Sequence, residues 1–397
     1  MIVDLHAHYP MHVVTDLEPH TTVARMTRVR ERATLGDRLR AFVLKMARMV
    51  ASDRSWWSGY RMSVPYLEQG KAGVALWVLY RPFSELDFDV PYGSPPQPSY
   101  FSGLIKDLEL VEDEVASHSP AKIRIAHSGD ELERALSEGA TALIHVVEGG
   151  FHLGGNPEEI DQNVAELARR GVAYVTLAHL FFRDIATNAP AIPFLSDRLY
   201  NRLFPQPSGE ALTHLGRPAV RSMVRHHVMV DVSHMCADAL TATLDLLDKE
   251  DPHKQLPVLA SHAGYRFGSQ EYMLDRHVIT RIKARGGVIG LIMAQHQLND
   301  GIRRNRTKNL RRVVRGHPPS HRRDPQDPRP RIKANVRTGG TSPARSIRYA
   351  AGPGFARAPA VGMFLGPRRL TRERTAAIES RLGAARIDRR QPAPRSR

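Results

Sequence analysis

Short apolar runs and longer amphipathic ones alternate along residues 1–300. The short runs are residues 1–8 (MIVDLHAH), 72–79 (AGVALWVL), 143–147 (LIHVV), 172–179 (VAYVTLAH), 228–234 (VMVDVSH), 256–262 (LPVLASH) and 288–293 (VIGLIM). They are rich in β-branched and apolar residues, as strands buried on both faces of a parallel sheet are. Between them apolar residues recur at helical spacing. Residues 103–116 predict one helix, and 130–138 another with acids in its first turn and Gly139 as its stop. Asn156 caps a third, Pro157 opens it, Ile160, Val164, Leu167 and Ala168 form its buried stripe, and Gly171 ends it. Residues 212–227, despite Pro218, and 237–247 predict further helices, residues 276–285 precede Gly286-Gly287, and 122–126 read as a short strand or connector. Alternating strand and helix predict an α/β fold, a TIM-type (β/α)8 barrel. Its eighth strand is not legible after residue 300.

Three stretches interrupt the alternation. Residues 9–70 form an insertion, where Leu39, Phe42, Val43 and Met46 mark one amphipathic helix. Residues 82–100, with several prolines, glycine and serine, read as a mobile loop near the barrel mouth. Residues 179–209 hold Pro190, Pro193, Pro205 and Pro207 and read as a lid or specificity wall.

The ends of the short runs carry the chemistry. His8, His179, His234 and His262 each close one, and Glu148 closes another before Gly149 and Gly150. A buried carboxylate costs free energy unless a cation or hydrogen bonds compensate it. His6 and His8 stand two apart in a strand and so share a face. In a barrel all strand C-termini gather at one end, where active sites lie. Neutral imidazoles and carboxylates are ligands for zinc-like ions, and one site with two metal ions is the economical expectation. Cys236 reads as packed rather than ligating. Asp231 could orient a ligand or be an ordinary strand-end residue.

His6-Ala7-His8, Val147-Glu148-Gly149-Gly150, Thr176-Leu177-Ala178-His179, Asp231-Val232-Ser233-His234 and Ser261-His262, in that order, resemble the membrane dipeptidase family (peptidase family M19). That family belongs to the amidohydrolase-type metal-dependent hydrolases. The similarity covers about residues 1–300. It implies a TIM barrel with two divalent ions, zinc expected, that cleaves dipeptides by attack of a metal-bridging hydroxide on the scissile carbonyl. In that reading Glu148 bridges both metals, His6 and His8 hold one, His234 and His262 hold the other, and His179 contacts substrate as oxyanion stabiliser. Arg266, with Arg276 as competitor, is the candidate partner for a substrate carboxylate.

The chain departs from the family in two respects. The first motif is His-x-His where the family has His-x-Asp, which leaves open another small amide or ester as substrate. The family's strand-eight Asp, its proton shuttle, has no match, because Asp324, Asp327 and Asp388 lie in contexts with no strand signal.

Charge divides the chain at the same place. Residues 301–397 hold 26 Lys and Arg against 5 Asp and Glu, a net +21, so residues 1–300 carry −5 of the total +16. Leu, Ile, Val and Phe number 15 among those 97 residues, below the ~20% under which charged segments stay disordered. Residues 1–300 are thus expected to be the barrel and 301–397 a disordered Arg/Pro-rich tail, or one read out of frame from GC-rich DNA. An inactive barrel, or a nucleic-acid-binding protein using the basic tail, is the other class of reading, and Tyr349, Phe355 and Phe364 are few aromatics for stacking on single strands. No apolar run reaches the ~18 residues of a membrane span. No leader is visible before the first motif, and one cysteine fits a reducing cytoplasm. A small dipeptide-like substrate is the expected partner, and a homodimer stays open.

Overall fold

The computed structural model describes residues 1–8, 64–85, 87, 89–192 and 195–292, with isolated positions elsewhere, including 361 and 362. Contacts divide the chain into a unit of Met1–Asp300 with Pro359–Arg397 and a unit of Gly301–Ala358, the latter outside the described residues. The insertion helix expected around Leu39 falls almost wholly outside them as well.

The strands are β1 (Ile2–Ala7), β2 (Ala72–Leu79), β3 (Ile123–Ile125), β4 (Thr141–Glu148), β5 (Tyr174–Thr176), β6 (Met229–Asp231), β7 (Val258–Ala263), β8 (Val288–Ile292) and β9 (Val361–Gly362). The helices are α1 (Val64–Gln69), α2 (Pro82–Glu85), α3 (Pro98–Ala116), α4 (Gly129–Ser137), α5 (Pro157–Arg169), α6 (Asp197–Leu203), α7 (Gly216–Arg225), α8 (Ala237–Glu250) and α9 (Arg276–Ala284). Parallel pairing runs β1-β2-β4-β5-β6-β7-β8, and β3 joins the first residues of β4. The result is a nearly closed, parallel eight-strand barrel-like sheet, a TIM-type fold. β9, from the tail, pairs antiparallel with β8 through Ile292 opposite Val361.

The pleat sorts the core into two layers. Val74, Leu76 and Val78 of β2 join Leu5, Ala142, Val146, Tyr174 and Leu259 in the lumen. Ala75, Trp77 and Leu79 face out onto Leu104, Leu108 and Val111 of α3 and Ile160, Val164 and Leu167 of α5. Side chains cap the helix starts, Asn156 as expected and Asp275 as the structure adds. Asn156 Oδ1 accepts from Glu159 N–H at 2.9 Å, and Asp275 Oδ1 from Val278 N–H at 2.9 Å. Cys236 is packed as expected: its Sγ accepts from Ala239 N–H at 3.4 Å and so caps α8.

Three elements differ from the sequence pattern. The helix expected over 212–227 begins at Gly216, which puts Pro218 in its first turn, where the missing N–H costs nothing. Thr213 Oγ1 accepts from Leu215 and Gly216 N–H and bends the chain into it. The expected mobile loop 82–100 contains α2 and the start of α3, and buried Arg183 holds it by donating to Glu85 O and Asp87 O at 2.7 and 3.0 Å. The lid segment contains α6, whose Tyr200 packs with Phe181 and Phe204 in an aromatic cluster.

Candidate metal centre

β4 delivers Glu148 to the mouth of the barrel, fully buried. Gly149, at φ +99°, turns the chain there; a Cβ on it would meet the Phe151 ring at 2.1 Å. Five imidazole nitrogens converge on this carboxylate. Oε1 lies 3.0 Å from His6 Nε2, 3.3 Å from His179 Nε2, 3.6 Å from His234 Nε2 and 3.8 Å from His262 Nε2, and Oε2 lies 3.5 Å from His8 Nε2. His6 Nε2 stands 3.1 Å from His8 Nε2, and His234 Nε2 2.8 Å from His262 Nε2. Two ligand triads result, His6–His8–Glu148 and Glu148–His234–His262, with Glu148 in both.

The protons in this network tell what its middle suits. Tyr174 OH donates to Leu5 O at 2.7 Å, so the proton between it and His6 Nδ1, 3.0 Å away, belongs to His6. Ser261 Oγ donates to Asp231 Oδ2 at 2.6 Å, so His262 Nδ1, 2.7 Å away, donates to Ser261. The carboxylate of Glu85 accepts from His179 Nδ1 at 2.9 Å. With their protons on Nδ1, the rings of His6 and His262 aim Nε2 lone pairs at a carboxylate or at another imidazole, while His179 can keep a second proton on Nε2. Acceptors facing acceptors at about 3 Å need cations between them. Neither Glu148 oxygen has a hydrogen-bond partner among the described residues. The donor set therefore fits divalent ions.

Electrostatics agree. Burial alone would raise the Glu148 carboxyl, but the imidazoles of His179, His6 and His8 hold it well below the usual carboxylate range. Burial pushes His8 down to about 3 and His262 well below the usual imidazole range, so both are neutral, as ligands must be. His179 moves the other way: burial would lower it, yet Glu148 and Glu85 hold it up at about 8. Of the five candidate ligands His8 is the one open to solvent, its side chain 39 % exposed.

Asp231 lies behind the ligands. It accepts from Thr176 Oγ1 at 2.6 Å, from Ser233 N–H at 3.0 Å and from Ser261 N–H at 2.9 Å, which sets the serine that orients His262. Arg266 sits on the loop after β7, half-buried, its guanidinium donating to Ser269 O at 3.5 Å and its backbone N–H to Leu274 O at 2.9 Å. Among the described residues no hydrogen bond or ion pair joins it to the histidines. Arg276 is exposed at the start of α9. Three contributors were not legible in the sequence. Glu85 in α2 and Tyr80 beyond β2 share a 2.6 Å bond beside His179. Tyr272 donates to His262 O at 3.1 Å, its ring 4.9 Å from that of His234.

Two imidazole pairs around one shared carboxylate at the mouth of a parallel α/β barrel define a metal-binding barrel. A family model of the membrane dipeptidases (peptidase family M19) matches residues 23–338, a stretch that begins after His6 and His8. The chain belongs to that family. A curated relative, dipeptidase tcpJ of Claviceps purpurea, is 28% identical over 231 residues, covering 56% of this chain and 46% of that protein. The chain thus spans about half the length of this relative. Two solved structures share the fold at 16% identity and a TM-score of 0.52. The dipeptidase AC metallopeptidase of family M19 is covered over 78% of its length and 79% of this chain. A metallopeptidase from Rhodobacter sphaeroides, liganded with a phosphinate mimic of the dipeptide L-Ala-D-Ala, is covered over 80% and 79%. The family implies divalent metal. Among the described residues, no helix is long and apolar enough to cross a membrane.

Proposed function

We propose that this chain hydrolyses the amide bond of small dipeptide-like substrates at a centre for two divalent ions, zinc expected, in a cytoplasmic setting. The sharing of Glu148 between two ligand triads carries the reading. The dipeptidase name of the Claviceps relative supports the substrate class. When bound, the ion pair supplies an activated water near neutral pH and polarises the scissile carbonyl.

The chain's own residues do the rest. His6 and His8 would hold one ion, His234 and His262 the other, and Glu148 would serve both. Tyr174 and Ser261 fix the ring orientation of His6 and His262 through their Nδ1 protons. His179, fixed by Glu85, presents Nε2 to the centre and is the group to donate to the carbonyl oxygen as negative charge develops there. Arg266 pairs with the substrate carboxylate. Water gives its hydroxyl to the carbonyl carbon, the C–N bond breaks, and the leaving amine takes the water's other proton. The Arg183-held loop reaches the centre through Glu85, which accepts from His179 Nδ1.

Glu148→Ala tests the reading by elemental analysis of dialysed protein and by hydrolysis of a dipeptide panel. Loss of both lumen ions together with turnover is expected. Full metal content in that variant overturns the bridging role.

A further inference from the structure

A second cluster of ligand-type side chains lies on the outer side of β4. His145 precedes Glu148 by three residues, so the pleat turns it away from the lumen and toward the helix layer, its side chain 1 % exposed. Its Nε2 is 3.2 Å from Glu112 Oε1 of α3. His127, in the corner between β3 and α4, sets its own Nε2 3.0 Å from the same oxygen. One ligand atom from each residue lies within 4.8 Å of the other two.

Glu131 selects the tautomer of His127. Its Oε2 accepts from the His127 backbone N–H at 2.8 Å and faces Nδ1 at 3.3 Å. A carboxylate on the far ring nitrogen is the support metal-binding histidines commonly have. With the proton on Nδ1, the 3.0 Å contact of Nε2 with Glu112 sets acceptor against acceptor, which a cation between them satisfies. His145 Nδ1 is buried without a hydrogen-bond partner among the described residues, so the polar reach of that ring is its Nε2, aimed at the same point. The nearby cation Arg170 is committed to Glu166 at 2.6 Å and Glu109 at 3.0 Å. Gly171, at φ +76°, brings the end of α5 onto the corner; a Cβ there would lie 2.5 Å from His127 Cα.

We propose that Glu112, His127 and His145 form a further divalent-cation site, apart from the lumen centre, that takes a zinc-like ion. Two imidazoles and one carboxylate suit that ion, and the half-exposed His127 leaves a fourth position for water. An ion there ties α3 and the β3–α4 corner to β4. The site stands independently of any dipeptide hydrolysis.

The test is equilibrium dialysis of the full chain against zinc, followed by elemental analysis. His127→Ala is the variant, because its side chain is 41 % exposed and its loss leaves the core intact. It should hold one zinc fewer per chain than the parent. In a Glu148→Ala background, the parent should keep one zinc and the Glu148→Ala/His127→Ala protein none. Equal zinc with and without His127, or no zinc left in the Glu148→Ala protein, overturns the proposal and leaves an imidazolium bridging Glu112 and Glu131. If Glu148→Ala does not fold, the comparison of the parent with His127→Ala decides alone.

Discussion

Glu85 decides what His179 can do. Its Oε2 accepts from His179 Nδ1 and from Tyr80 OH, and its Oε1 from Phe181 N–H at 2.7 Å. The imidazole of His179 is thereby locked with Nε2 toward Glu148. Under the proposed function, His179→Ala keeps the metals and lowers dipeptide turnover by roughly 10²–10³-fold, the scale of one lost oxyanion donor. Metal loss in that variant, read by elemental analysis, would make His179 a ligand instead. The convergence of His6, His8, Glu148, His234 and His262 with His179 was legible because strand C-termini in a barrel share one face, so the strand-end pattern already implied proximity. Glu85 was not legible: it stands in a loop segment whose partners, Phe181 and Arg183, lie almost a hundred residues on.

At the scale of elements, helix positions followed from caps and apolar stripes, while the loops carried structure that periodicity does not report. The outer helices α8 and α9 show why. Leu240, Leu244 and Leu247 of α8 and Val278 and Ile282 of α9 pack into the core, and ion pairs add to that packing. Arg281 pairs with Asp245 and Asp248 at 2.6 Å each. Arg285, its side chain 1 % exposed, pairs with Asp248 at 2.8 Å and Asp251 at 2.7 Å. Asp251 also accepts from Gln255 and Leu256 N–H. Asp251→Ala leaves a buried guanidinium short of a partner and should cost roughly 3–5 kcal/mol. Asp245→Ala removes an exposed pair and should cost at most about 1 kcal/mol. Denaturant unfolding at neutral pH ranks the two, and equal losses would count against the buried-charge account. pH adds a sign. Burial raises Asp248, but Arg281 and Arg285 outweigh it and hold its carboxyl below the ordinary range. Its contribution is therefore present above that range and lost as pH falls through the depressed value. The acid-unfolding curves of the parent and Asp248→Asn should converge below it and separate above it.

At the scale of the whole molecule, the chain changes character where the barrel should close. Net charge turns from −5 over residues 1–300 to +21 over 301–397. Among the described residues the strand after β8 is β9, two residues long and antiparallel, whereas the other strands of the sheet are parallel. Among the described residues β3 pairs only with β4 and no ladder joins β1 to β8, so the parallel path of seven strands keeps an open edge that one further strand would close. The family match, on the other side, runs to residue 338, past the change in charge. A shift of reading frame near codons 301–310 accounts for the charge, the loss of apolar periodicity and the unmatched Asp together. On that account another frame downstream of codon 300 encodes a β-rich run ending in Asp, followed by a helix. Restoring it should yield a protein that hydrolyses dipeptides, with at least tenfold more turnover than the chain as it stands. The nucleotide sequence in all three frames and a side-by-side dipeptidase assay decide. Absence of such a run from every frame, or equal activity from the two proteins, makes the basic segment a true appendage of the barrel.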